Sequence, residues 1–300
     1  MTDIRENVPL KQYTTFKCGG PAAMFAEPSS EEEIRELLSL ASSEGRKVLI
    51  LGAGSNMLVS DKGFDGLVIR IGRNMSDIKV GEEDPDGYVE IEAQAGASLA
   101  LLGTVCAKES LEGAEFCCGI PGNVGGAVFM NAGAYGREIK DIAVSVTYIK
   151  DNEIKTLPAS ECGFGYRTSV FEKTEGTVVV TSLKIRLKRG NKEAIDSYVA
   201  ELREKRTRSQ PLEVPSAGST FKRPEGYYAG ALIEGSGLKG FKLDESGAQV
   251  SPKHAGFVVN NGGSASGTDV MRLIRYVQDK VYADSGVRLQ TEVRLIGEWE

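Results

Sequence analysis

The sequence predicts an α+β chain built in two lobes. Helix-period and strand-period blocks alternate at short intervals along its 300 residues, and no internal repeat or low-complexity tract interrupts them. Pro211 and Pro215 stop a long charged helical stretch and read as a linker. These observations place a first lobe at 1–208, itself divided near residue 72 into 1–72 and 73–208, and a smaller second lobe at 215–300. A C-terminal strand, 287–297, is expected to pack back on the first lobe.

Gly19-Gly20 before Pro21 marks a turn, and Ala22–Glu27 follows as a short strand. Ser30 and Glu33 have capping-box spacing. Ile34, Leu37, Leu38 and Ala41 then recur at helical intervals until Gly45. Lys47–Leu51 is a continuous apolar run, a buried strand, and leads into Gly52-Ala-Gly-Ser-Asn56. Strands are predicted at 66–71, 78–80, 88–95, 144–150 and 177–187, with a turn at Asp151-Asn152 and a helix through Leu101, Leu102, Val105 and Cys106. The helix from about 190 to 209 ends in Arg203, Lys205, Arg206 and Arg208, cations that a helix C-terminus favours. The second lobe reads as helix 229–234, strand 256–260, helix 268–283 and strand 287–296.

Composition narrows the function classes. Apolar content of 41% and charged content of 26% describe an ordinary globular chain. A net charge of −6 argues against a nucleic-acid scaffold, which usually carries a basic face. Met1–Pro9 is polar, so it lacks the apolar stretch of a signal peptide, and no apolar run reaches membrane-span length. Five cysteines, an odd number with no Cys-x-x-Cys pair, fit reduced thiols in a cytoplasm. The sole histidine, His254, and the lack of clustered ligands predict no metal site.

The chemistry-bearing candidates are loops. Residues 119–136 hold six glycines and no charge, yet carry Ile120, Val124, Val128, Phe129 and Met130, so part of the stretch must be packed. Glycines there mean positive φ or close backbone approach, and their N–H groups can form an anion nest. On its own the stretch fits a buried turn as well as a phosphate cradle. Gly52-Ala-Gly-Ser-Asn56 follows a strand, but Met57 stands where a dinucleotide fingerprint needs its third glycine. Gly235, Gly237 and Gly240 have that spacing after a helix rather than a strand, which argues against a dinucleotide site. Tyr166-Arg167 lies between Phe164 and Phe171, where a guanidinium needs an anion or a carbonyl cage, or else snorkels at a strand edge. Ser219-x-x-Lys222 matches an acyl-serine motif whose companion tripeptides are absent; a turn hydroxyl bonded to its own backbone is the plainer reading. Glu292 and Arg294 would share one face of the last strand.

Together these motifs resemble one family. Asn7, Thr14-Thr-Phe16, Leu51-Gly-Ala-Gly-Ser-Asn56, Gly119-Ile-Pro-Gly-Asn-Val-Gly-Gly126, Asn131-Ala-Gly-Ala-Tyr135, Phe164-Gly-Tyr-Arg-Thr-Ser169, Gly218-Ser-Thr-Phe-Lys222, His254-Ala-Gly-Phe-Val-Val-Asn260 and Glu292-Val-Arg-Leu-Ile-Gly297 follow in order over nearly the whole chain. The set is similar to that of the UDP-N-acetylenolpyruvoylglucosamine reductases, flavoenzymes of bacterial peptidoglycan synthesis, in their shorter structural type.

The resemblance implies an FAD-binding domain of the para-cresol methylhydroxylase/vanillyl-alcohol oxidase type plus a smaller α+β substrate-binding domain. It implies non-covalent FAD held by Gly52, Ala53, Gly54, Ser55 and Asn56 and by Gly119, Pro121, Gly122, Gly125 and Gly126, with NADPH as co-substrate. The implied reaction is reduction of UDP-N-acetylglucosamine enolpyruvate to UDP-N-acetylmuramate. Arg167 matches the family's cation at the developing enolate, Ser219 its proton donor to C2, and Glu292 its remaining catalytic position. Tyr166, Arg206 and Lys222 are the expected substrate contacts, and the UDP diphosphate falls to the basic run Arg203–Arg208 or to Lys222 and Arg223. A cytoplasmic monomer is expected. An FAD oxidase of the same fold and a non-enzymatic flavin- or nucleotide-sugar-binding protein remain the alternatives.

Overall fold

The computed structural model describes residues 2–299. The chain forms two compact units, and both are discontinuous in sequence. One holds Phe25–Ala53 and Leu67–Arg206; the other holds Arg5–Met24, Gly54–Gly66 and the chain from Thr207 onward. The single boundary expected near 208–215 therefore describes only the last crossing. The physical reason is burial. Phe16, Cys18 and Leu58, distant in sequence, pack into the second unit's core with Phe221, Ile233, Val258, Leu273, Ile274 and Val277.

The first unit is built on an antiparallel sheet. Its order is Glu153–Pro158, Ala143–Lys150, Val178–Arg189, Tyr88–Gln94, Ile78–Glu83, with Leu111–Glu112 also pairing to Val178–Arg189. Tyr88–Gln94 alternates buried and exposed residues, as a strand with one wet face should. Glu153–Pro158, which carries no strong apolar signal, is a strand because Asp151 and Asn152 both take positive φ (52° and 61°) and turn the chain back. Val48–Leu51 pairs in parallel with Leu67–Arg70. The helix Glu31–Ser43 starts as predicted at Ser30, whose hydroxyl accepts the Glu33 N–H at 3.2 Å, but the capping box is incomplete: the Glu33 carboxylate accepts from Ser29 instead.

The second unit packs the helix Gly267–Ser285 over the strands Ala248–Val250 and Val258–Asn260. Asp61 accepts the first amides of that helix, from Gly267 and Thr268, at 2.7 and 2.8 Å, and Gly286 ends it at φ 72°. The predicted long strand 287–296 is a correction. Only Arg294–Ile296 is strand, paired in parallel with Met57–Val59 inside this unit. Residues 290–293 instead bond irregularly to the Ser219 loop, which bends them out of strand geometry. The premise that Glu292 and Arg294 share a strand face fails with it. Among the described residues no helix is long and apolar enough to cross a membrane, and all five cysteines are free thiols.

Candidate active site

Within the first unit the two glycine loops meet. A Cβ on Gly52 would lie 3.5 Å from the Cβ of Asn123, and the Asn123 amide donates to the Ile71 carbonyl at 3.0 Å. Ile71 in turn donates to Leu51, the residue before Gly52, so the sheet end anchors both loops. The backbone N–H groups of Gly52, Ala53, Gly122 and Asn123 donate to no acceptor among the described residues. Free N–H groups on facing loops form a concave donor set that suits a diphosphate. A Cβ on Gly126 would meet nothing within 4 Å, which leaves room for a bulky group. These features fit the pyrophosphate of FAD.

Two expected cradle residues have other tasks. The Gly125 N–H donates to the Ala95 carbonyl at 2.9 Å, and a Cβ there would come within 2.9 Å of the Ala95 Cβ; this glycine serves helix packing against the sheet. The Asn56 side chain donates to the Glu292 carbonyl at 3.1 Å, and its own carbonyl accepts from Arg294, so it braces the Glu292 segment. Gly54, at φ 62°, has its carbonyl held by the Thr15 N–H at 3.2 Å and lies against the Tyr13 carbonyl so closely that no side chain fits.

Arg167 sits at the tip of a tight turn. The Gly165 and Thr168 backbones pair across it, and Arg167 takes φ 54°, a left-handed conformation that costs a non-glycine residue about 1–3 kcal/mol. Its guanidinium donates to the Gly133 carbonyl at 3.1 Å and lies over the Tyr166 ring, 5.3 Å from the centroid. That is the carbonyl half of the expected cage. Arg206 is half-buried beside Gly119, where a Cβ would lie 3.8 Å from its Cδ and 3.9 Å from the Tyr135 ring. Burial lowers the Arg206 pKa, and Tyr135 opposes the shift. A desolvated cation beside a glycine loop has a strong claim on an anion.

In the second unit Ser219 and Glu292 are tied through Thr220. The Thr220 carbonyl accepts the Glu292 N–H at 2.8 Å, its N–H donates to Gly256 at 2.9 Å, and its buried hydroxyl accepts the Val258 N–H at 2.9 Å. Ser219 itself is exposed, after Gly218 at φ 75°, and its hydroxyl has no hydrogen-bond partner among the described residues. The backbone-bonded turn hydroxyl is therefore not what forms. The Lys222 N–H donates to Gln290 at 2.8 Å, continuing the same ladder. Thr220, Asn123 and Asn131 do structural work that the sequence reading missed. Their one visible signal was a small polar residue set in an apolar or glycine-rich run.

The fold and the glycine loops define an FAD-binding α+β oxidoreductase, and a model of the FAD binding domain matches residues 22–154. A model of the UDP-N-acetylenolpyruvoylglucosamine reductase C-terminal domain matches residues 210–296. The chain is 48% identical to the UDP-N-acetylenolpyruvoylglucosamine reductase of Agathobacter rectalis, over 99% of this chain and 95% of the relative. It is 43% identical to that of Clostridioides difficile, over 99% and 94%. A crystal structure of UDP-N-acetylenolpyruvylglucosamine reductase from Thermus caldophilus superposes with a TM-score of 0.83 at 35% identity, over 99% of this chain and all of that one. The chain belongs to the UDP-N-acetylenolpyruvoylglucosamine reductase family.

Proposed function

We infer that this chain reduces UDP-N-acetylglucosamine enolpyruvate to UDP-N-acetylmuramate at the expense of NADPH, in peptidoglycan precursor synthesis. Family membership and the match to an FAD domain support the activity; the observation that carries the site is the meeting of the Gly52 and Asn123 loops with unclaimed amides. FAD held by these loops would supply the hydride chemistry that links NADPH to the enolpyruvyl C3.

The chain's own residues supply the rest. Gly52, Ala53, Gly122 and Asn123 hold the cofactor's diphosphate by backbone N–H groups, which need no countercharge. Arg167 offsets the negative charge that builds on the substrate carboxylate as the double bond is reduced. Ser219 gives its proton to C2; a poorly acidic hydroxyl suits this only if its oxyanion is stabilised, the task given to Lys222 three residues on. Glu292 aids the enol carboxylate or its proton traffic. Arg206, with the rest of the basic run 203–208, binds the UDP diphosphate, with Tyr166 beside the substrate. The unit that contains Phe25–Ala53 and Leu67–Arg206 is the FAD-binding part, and the unit completed by the chain from Thr207 is the substrate-binding part. The protein acts as a cytoplasmic monomer.

The test is direct. Purified protein should be yellow and should oxidise NADPH rapidly only when the enolpyruvyl sugar nucleotide is present. Fast reoxidation by air without that sugar would make it an oxidase, and a colourless protein inert to NADPH would remove the activity altogether.

A further inference from the structure

We propose that Asn131 is a positioning residue for Arg167, and that the hairpin 133–138 exists to present a carbonyl to that guanidinium. The proposal rests on the reading of Arg167 as the cation at the developing enolate. Asn131 is fully buried, in the left-handed region at φ 45°, and its amide is fully used. One Nδ2 hydrogen goes to the Gly165 carbonyl at 2.9 Å and the other to Glu138 Oε2 at 3.0 Å, while Oδ1 accepts the Lys140 N–H at 3.0 Å. Gly165 is the first residue of the Arg167 turn. Glu138 belongs to the hairpin that pairs Gly133–Ala134 with Arg137–Glu138. One side chain therefore ties the backbone that carries Arg167 to the element whose Gly133 carbonyl receives the guanidinium.

Ser169 makes the second tie. Its buried hydroxyl donates to the Phe129 carbonyl at 2.6 Å, at the end of the helix Val124–Phe129. Gly133 cannot be replaced, because a Cβ there would come within 2.5 Å of the Arg137 carbonyl. A turn with a non-glycine residue in the left-handed region persists only where its surroundings over-determine it. Here the surroundings are the buried Asn131 side chain and the Phe129 and Gly133 carbonyls, all on the stretch that runs from the cofactor loop.

The test separates the two half-reactions in the FAD-loaded enzyme. Asn131→Ala and Asn131→Asp should reduce their flavin with NADPH within about twofold of the parent. Reoxidation by the enolpyruvyl substrate should slow by roughly 10- to 100-fold, the usual penalty for a displacement near 1 Å. Asp should be the worse variant, since its carboxylate would face the Gly165 carbonyl and the Glu138 carboxylate. Ser169→Ala should show the same selective defect if the Asn131 variants fail to load FAD. In an Arg167→Lys background, Asn131→Ala should slow reoxidation less than about threefold further, because the group being positioned is already altered. Hydrogen exchange should rise at residues 163–170 and not at 89–95. Normal reoxidation in Arg167→Lys itself would sink the reading of Arg167. Slow Arg167→Lys with unaffected Asn131 and Ser169 variants, or with defects that simply multiply, would sink the positioning role alone.

Discussion

Replacing Thr220 by Val tests whether one buried hydroxyl holds the Ser219 loop in place. Thr220 is fully buried and its Oγ1 accepts the Val258 N–H at 2.9 Å. Valine has nearly the same shape, so the change removes the acceptor without opening a cavity. An amide left buried and unpaired costs about 1–3 kcal/mol. The added methyl recovers about 0.8 kcal/mol, for a net loss of about 0.2–2.2 kcal/mol. The chain's single tryptophan, Trp299, lies in the same unit, so its fluorescence during urea unfolding reports the affected part. FAD concentration must be held constant, because ligand binding shifts the midpoint by mass action. Thr156→Val, followed by circular dichroism because it lies in the other unit, is the control: its hydroxyl meets Thr147 at 3.3 Å on an exposed face, and its change should stay within about 0.5 kcal/mol. Because the Thr220 carbonyl also holds Glu292, reoxidation of the reduced enzyme should slow as well. A midpoint unmoved or raised would refute the orphaned-amide reasoning.

Ser219→Ala should allow flavin reduction by NADPH yet block reoxidation by the enolpyruvyl substrate; normal reoxidation in stopped flow would remove Ser219 as proton donor. Gly126→Val should fold with an unchanged circular dichroism spectrum, since nothing beyond its own helix lies within 4 Å of its Cβ position, but should purify without yellow colour; full flavin content would contradict the cradle. His254 is half-buried and burial pushes its pKa below 6.5, with a weaker contribution in the same direction from Lys239 and opposing ones from its backbone hydrogen bond and Glu234. Its Nδ1 accepts the Gly256 N–H at 3.1 Å, which protonation would break. A depressed folded value means the unfolded chain takes the proton first. Stability from this group is therefore present above pH 6.5 and is lost as pH falls through the folded value. His254→Gln should flatten that slope in chemical unfolding between about pH 5 and 7; an unchanged slope would assign it to carboxylates.

Much of this molecule was legible in its residues. The long Val/Ile run 177–187 predicted the central strand Val178–Arg189, because branched apolar side chains suit a sheet buried between neighbours. Asp151-Asn152 announced a hairpin, because Asn and Asp tolerate positive φ. Failure of the dinucleotide fingerprint at Met57 separated the cofactor loop from the commoner fold, and Met57 is indeed a buried strand residue paired with Arg294. Arg167 between aromatic residues called for an anion or carbonyl partner, and the Gly133 carbonyl is one. Local chemistry decides such features, so local sequence reveals them.

Long-range pairing decided the rest. Nothing in residues 5–24 or 54–66 says that they complete the C-terminal unit; the apolar surfaces of Phe16 and Leu58 do so only once the chain has folded. The strand predicted through Glu292 bends because its backbone donors and acceptors are claimed by Thr220 and Lys222, about seventy residues earlier. Gly125 and Gly126 are adjacent and chemically identical, yet one faces Ala95 and the other open space. Sequence determined which residues could make turns, strands and a phosphate cradle, because those depend on steric freedom within a few residues. Tertiary structure decided which glycine, amide and carbonyl stayed available for chemistry, because that depends on every buried donor and acceptor finding its partner first.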